Sequence, residues 1–324
     1  MKAFLSMFTV SFALMLSSRA ATITNFFTQF ESAEGYSASL DLAGQQNWEQ
    51  EGSGGNGLVA NGPQGQSAYI GFAPPDPADD QLILWRPINF NPLTAGYPVV
   101  KFSVLLNLID STNDHYDTFR WSVYNMQIDR LFSIVLNNKT LRVGYLLDGA
   151  NVEAYPNDLP LLVNDSNYLL NVTMNFAANR WSATLNNAVI ASNQLITTVS
   201  AGLTLGDIDA VWIVNQISYT NAPSQVITTN APGNNYMLFD NYRITAETIP
   251  ITPAQVQLLG RTTEGWDLLR VTGPDGLRWA LEATTNLATW TAVKTNLISG
   301  GSFDVVDTSS AGLTRRFYRA RYVP

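Results

Sequence analysis

Cysteine is absent from the 324 residues, and histidine occurs once, as His115. The first absence excludes disulfide scaffolds, thiolate zinc sites, iron–sulfur clusters and cysteine nucleophiles. The second excludes a multi-histidine metal site or an imidazole relay. Charge is scarce as well: 18 basic and 26 acidic residues make up 14% of the chain and leave it at −8. That sign is wrong for a protein that coats nucleic acid through phosphate contacts, so no nucleic-acid partner is expected. No run after the N-terminus reaches the roughly 20 apolar residues of a membrane helix, so no membrane insertion is expected either. What is present suffices for folding, with 46% hydrophobic and 11% aromatic residues. The length suits about two domains at roughly 150 residues each.

Residues 1–20 carry Lys2, an apolar stretch from Ala3 to Leu16, and the small residues Ser18 and Ala20. This is the pattern of a cleaved secretory signal, with a mature chain from Ala21 that is secreted, held at the cell surface or periplasmic. An exported chain without disulfides is ordinary for a bacterium.

From Phe26 onward, short alternating runs are bounded by Gly, Pro, Asn and Asp, which predicts an all-β fold of two packed antiparallel sheets. In residues 168–176 one parity carries Tyr168, Leu170, Val172, Met174 and Phe176, and the other carries Leu169, Asn171, Thr173 and Asn175. One face is therefore buried and the other wet. Trp181, Ala183 and Leu185 continue the apolar face, and Asn186-Asn187 marks the following turn. Phe119, Trp121 and Val123 alternate with Arg120, Ser122 and Tyr124; strands 131–136 and 141–147 flank the turn at Asn137-Asn138-Lys139. Further strands are expected at Leu203–Leu205, Val211–Val214 and Tyr236–Ile244, with Trp121, Trp181 and Trp212 in the core.

Pro250 and Pro253 break this pattern and predict a linker at 249–253, between a domain of residues 21–248 and a small β module of 254–324. Charge changes there: residues 21–250 carry −12 and residues 251–324 carry +2.

The segments Phe30-Glu31, Gly44-Gln-Gln-Asn-Trp48, Tyr168 to Asn187 and Leu238-Phe-Asp-Asn-Tyr-Arg-Ile244 resemble concanavalin A-like (laminin-G-type) jelly rolls, over roughly residues 24–246. Leu281 to Trp290 and Arg315 to Arg321 look like a small module that closes many exported proteins of environmental bacteria. The resemblance implies a jelly-roll sandwich and an extracellular role, commonly in glycan or surface binding, on a fold that hosts many functions.

Catalytic signals are weak. Glycosidases on related jelly rolls present Glu-x-Asp-x-x-Glu on one strand, and that spacing is absent. Glu49 and Glu51 share a strand face but run into a glycine-rich stretch, Gly52 to Gly57. His115 and Tyr116 sit in the polar stretch Asp110 to Asp117 and read as a solvated loop. For ligand binding, Arg120, Tyr124 and Arg142 on the polar parity and Trp85 beside Arg86 offer bidentate and stacking groups; an ordinary solvated sheet face is the other reading.

Asp240 shares parity with Leu238, Tyr242 and Ile244, which turns a carboxylate toward an apolar face, where it needs a partner. The resemblance implies a structural Ca²⁺ held by Glu31 and Asp240. Backbone N–H groups or Arg243 are the other candidates, and the 110–117 loop is a weaker calcium candidate because it lacks the glycine and glutamate of an EF-hand. Three functions stand: a non-enzymatic glycan-recognition or surface-polymer-recognition protein, a polysaccharide hydrolase or lyase, and a structural surface component.

Overall fold

The computed structural model describes residues 20–62, 64–76, 79–150, 152–215, 217–220, 226–230 and 232–323. The segment read as a secretory signal lies outside the described residues except for Ala20. The chain divides into two compact units, Ala21–Thr248 and the stretch from Ile249 onward. Among the described residues, helix is limited to a 3-10 turn at Ser32–Glu34 and one turn at Pro92–Ala95. No described helix is long and apolar enough to cross a membrane.

In chain order the first unit begins β1 (Thr22–Thr28), β2 (Glu49–Gly52), β3 (Asn56–Gly62), β4 (Gly65–Gly71), β5 (Gln81–Trp85), β6 (Val99–Ile109), β7 (Thr118–Tyr124) and β8 (Arg130–Asn137). It continues with β9 (Arg142–Leu147), β10 (Asn167–Asn175), β11 (Arg180–Leu185), β12 (Ala188–Leu195), β13 (Asp207–Ile213), β14 (Ile217–Thr220), β15 (Val226–Asn230) and β16 (Tyr236–Glu247). An eight-stranded sheet runs β12-β11-β10-β6-β16-β4-β3, with β1 also paired to β16. A six-stranded sheet runs β2-β5-β13-β7-β8-β9, and β14 with β15 forms a separate hairpin. The fold is thus all-β with antiparallel sheets.

The alternation sets which side is buried. In β10, Leu170, Val172 and Met174 are buried, while Leu169 points to solvent. In β11, Trp181, Ala183 and Leu185 are buried, and Asn186 and Asn187 turn the chain into β12 with φ of 46° and 69°. Positive φ at both central residues is the twist-matched hairpin geometry that Asn tolerates. Trp121, Trp181 and Trp212 all lie in the core with Phe102, Phe132 and Phe239.

Two expectations about the strands change. Leu203–Leu205 is not a strand, with Leu205 making only an isolated bridge to Phe90, and the strand expected at Val211–Val214 runs over Asp207–Ile213. The glycine-rich stretch Gly52 to Gly57 connects β2 to β3, and Asn56 and Gly57 already belong to β3. Glycine serves close backbone approach there: a Cβ on Gly55 would lie 2.2 Å from the Gly71 carbonyl oxygen.

The second unit has β17 (Gln255–Arg261), β18 (Asp267–Thr272), β19 (Arg278–Thr284), β20 (Thr291–Leu297), β21 (Ser302–Asp307) and β22 (Phe317–Val323). They form two three-stranded sheets, β17-β18-β21 and β20-β19-β22. Leu269, Val271, Trp279, Leu281 and Ile298 make its core, and Ile249 and Ile251 pack against that core. The 249–253 stretch therefore contributes apolar contacts to this unit.

Candidate functional site

In a sheet with one wet face, every second residue of a strand should be exposed. The six-stranded sheet departs from this. Ile208, Ala210 and Trp212 of β13 fill the core, yet Asp209 and Val211, which point the other way, are buried too. Ser122 of β7 and Ser133 and Val135 of β8 repeat the pattern. Long polar side chains cover this outer face, so its short residues form a floor.

Strand register places the residues in rows across the sheet. The middle row joins Asp209 to Ser122, Ser133 and Leu146. Ala210 pairs with Leu84, so Trp85 is the residue of β5 beside Asp209, and Glu49 of β2 pairs with Trp85 in turn. On one side of this row stand Asp207, Tyr124 and Arg130; on the other stand Val211, Arg120, Val135 and Gly144. The hydroxyls of Ser122 and Ser133 are 2.8 Å apart on the floor.

The long side chains are partnered. Arg120 donates to Glu153 at 2.7 Å, and Tyr155 donates a short hydrogen bond to the other oxygen of Glu153. The Arg142 guanidinium lies 5.0 Å from the Tyr155 ring centroid and donates to the Tyr155 carbonyl at 3.4 Å. This strap can ride on β9 because position 144 is glycine. A Cβ there would lie 2.5 Å from the Ala154 carbonyl oxygen and 2.7 Å from the Tyr155 ring. Burial and then the bond to Glu153 push the Tyr155 hydroxyl up to about 12. Arg130 donates to Ser133 at 3.4 Å and to the carbonyls of Leu146 and Leu147 at 3.5 and 3.3 Å, and burial lowers its pKa.

Asp207 and Asp209 stand two residues apart on the same face of β13, and both are raised, first by burial. Asp207 raises Asp209 further, whereas Asp209 acts on Asp207 in the lowering direction and the charge of Glu49 raises Asp207. Asp209 is 5% exposed, and its Oδ1 is buried without a hydrogen-bond partner, as is Nε of Arg120 on the same face.

All four residues expected to bind a ligand, Trp85, Arg120, Tyr124 and Arg142, thus lie on one sheet face. Arg86 does not join Trp85; its guanidinium sits 4.0 Å from the Phe26 ring centroid and donates to the Gln46 carbonyl. Asp207, Asp209, Arg130, Glu153 and Tyr155 were not anticipated. The signal for the acids was in Asp207-Ile-Asp-Ala-Val-Trp212, where two carboxylates alternate with the core residues Ile208, Ala210 and Trp212. Starting the strand at Val211 left them outside it.

The parity of Asp240 is corrected by a bulge. Phe239 and Tyr242 both pack on Trp121, at 5.3 and 5.9 Å between centroids, although they are three residues apart. The register shift between Asp240 and Arg243, with Asn241 at φ 51°, supplies the extra residue. Asp240 therefore turns away from the core. It is 1% exposed and accepts from Ser67 at 3.0 Å and from the Asn241 N–H at 2.6 Å. Arg243 lies over the Phe27 ring instead of pairing with it. Glu31 accepts from the Gln66 N–H at 3.1 Å.

In the 110–117 loop, Asp117 is committed to N–H donors: Trp212 at 2.9 Å, Asn215 at 3.1 Å and Gly233 at 2.8 Å. It pins the loop. Among the described residues, no group of three or more His, Asp or Glu side chains is placed to hold a metal ion. The backbone N–H of His115 donates to Asn113 in the same loop, away from the face just described.

No family model matches this chain, and no curated protein matches its sequence. Solved structures resemble it at the level of the sandwich. A Bacillus subtilis protein of unknown function with a galectin-like fold aligns at 10% identity and a TM-score of 0.42, covering 72% of this chain and 99% of its own. The carbohydrate-binding module CBM66 from Bacillus subtilis aligns at 7% identity and 0.37, covering 63% and 99%. A sialidase aligns at 11% identity and 0.40 over 61% of this chain, which spans 17% of the sialidase.

Proposed function

We propose that the protein is an exported recognition protein that holds a glycan on the outer face of the six-stranded sheet. The observation that carries this reading is the row Glu49, Trp85, Asp209, Ser122, Ser133. It sets a half-buried aromatic ring for stacking beside the exposed Glu49 carboxyl, above a buried floor of Asp209, Ser122 and Ser133. The buried orphan atoms Oδ1 of Asp209 and Nε of Arg120 add one acceptor and one donor. Binding is favoured over hydrolysis because Asp207 and Asp209 lie two residues apart on one strand face and act directly on each other. Glycosidase carboxyls stand about 5–5.5 Å or about 6.5–9.5 Å apart, with room for the sugar or water between them.

A glycan array with the mature chain tests the reading, followed by calorimetry on the best ligand. Trp85→Ala is expected to weaken binding by at least about tenfold, the loss of one stacked ring, with little change in melting temperature. Binding unchanged by that substitution would move the site off this face.

A cation between Glu31 and Asp240 forms a second part of the proposal. The charges acting on Asp240, from Glu31 and Glu34, are of its own sign, and with burial they raise its pKa. Hard carboxylate oxygens suit Ca²⁺, which would neutralise them and tie the turn after β1 to β16. Stability would then rise with free calcium, by about 2.7 kcal/mol at a hundredfold excess over Kd. Chelator should lower the melting temperature of the wild type and leave Asp240→Asn unmoved; equal melting of the wild type in calcium and in chelator defeats the proposal.

A further inference from the structure

The acidic end of this face carries information about the ligand's charge. Trp85 stands between Glu49 on β2 and Asp209 on β13, and Asp207 is two residues along β13 on the same side. Three carboxyls therefore surround one indole. The arginines of the face have protein partners: Glu153 for Arg120, through Nη2 with its Nε left open, Ser133 and the β9 carbonyls for Arg130, and Tyr155 for Arg142. Within this trio of carboxyls Asp209 is the most deeply placed. Asp209 is 5% exposed and points to the same face as Trp85, yet its Oδ1 has no donor. A buried acceptor left this way is destabilising unless something outside the chain reaches it.

We propose that the Trp85 subsite takes a cationic amino sugar, with the pyranose stacked on the indole and its ammonium group held by Asp209, Asp207 and Glu49. An ammonium brings three N–H donors and a full charge to this place, whereas a hydroxyl or an acetamide brings one donor and no charge. The charge also attracts the carboxylates to the ring-bound cation in the way aromatic sites hold ammonium ligands. At longer range, the net −12 of residues 21–250 favours approach of a polycation and opposes a uronate or sulfated chain.

Binding has a proton balance. The free pair shares one proton; when the ammonium arrives, that proton leaves to solvent and both carboxylates face the cation. The other titratable or charged groups around the pair are Glu49 from β2, Tyr124 and Arg120 from β7, Arg130 from β8 and Tyr242 from β16 of the opposite sheet.

This inference rests on the binding reading above, and its test separates the two. Three gluco-oligosaccharides of equal length and linkage, differing only at C2 as free amine, acetamide or hydroxyl, are titrated into the mature protein by calorimetry. Mildly acidic pH keeps the ligand amines charged. The amine form is expected to bind about tenfold tighter than the other two at low ionic strength, with the advantage shrinking as salt rises. The advantage should disappear in Asp207→Asn and in Glu49→Gln, the latter an exposed residue on an edge strand. Equal or weaker binding of the amine form overturns the charge inference, and if Trp85→Ala still abolishes binding of the neutral forms the glycan face stands. Binding only to unrelated glycans on the array overturns the charge inference in the same way. Absence of binding to any glycan overturns both.

Discussion

Trp181→Ala is expected to destabilise the first unit by about 3–5 kcal/mol, the range for removing a large buried aromatic. Trp181 is 1% exposed and stacks on Phe132 with ring centroids 4.0 Å apart and planes 5° from parallel. Tyr145 meets it edge-on at 5.7 Å. Trp181 belongs to β11 of the eight-stranded sheet, and Phe132 and Tyr145 belong to β8 and β9 of the other, so these contacts clamp the two sheets together. The indole N–H also donates to the Leu195 carbonyl at 3.0 Å, a bond that alanine leaves unmade. Denaturant unfolding, followed for the larger transition of the full chain, gives the value. A loss below about 1 kcal/mol would mean that the clamp is absent or that the cavity collapses fully. Trp85→Ala is the internal contrast, since Trp85 is only half-buried on the outer face and its removal opens no core cavity.

The difference between these two tryptophans was partly legible in the sequence. Trp181 sits in a run whose apolar parity is unbroken, and such runs gave β7, β10 and β11 with the correct buried side. Parity also put Arg120, Tyr124 and Arg142 on the polar face, where they are found. It failed where the chain departs from strict alternation. The bulge at Asp240–Arg243 adds a residue and reverses the side on which Asp240 lies, which no local pattern marks. The start of β3 was hidden because glycine, used there for close backbone approach, carries the same letter as glycine in loops. Glu153 and Tyr155 reach the face from a segment outside the regular strands of the sheet, over Gly144. Their role depends on tertiary contact alone.

The acid pair carries a cost to the fold that a single substitution can expose. Asp209→Asn is expected to raise the stability of the first unit at neutral pH by more than about 1 kcal/mol, the value of a single pKa unit. The sign follows from proton linkage. Burial first, then the neighbouring Asp207, lifts the Asp209 carboxyl far above its ordinary value. In the unfolded chain this carboxyl loses its proton near pH 3.9, whereas the folded chain keeps it to much higher pH. Between those limits the folded state binds more protons, so stability falls as pH rises. Asparagine removes the linkage and keeps the shape, and its amide can donate to Asp207. The gain should therefore be largest at neutral pH and shrink as pH drops toward about 4, where unfolded Asp209 is protonated as well. Melting curves of both proteins across that range provide the check, and a variant less stable than wild type at neutral pH would show that Asp209 is a net stabilising group. If the same substitution stabilises the fold and weakens the glycan, the pair is held at a cost to the fold for the sake of its ligand, which a purely structural acid would not show.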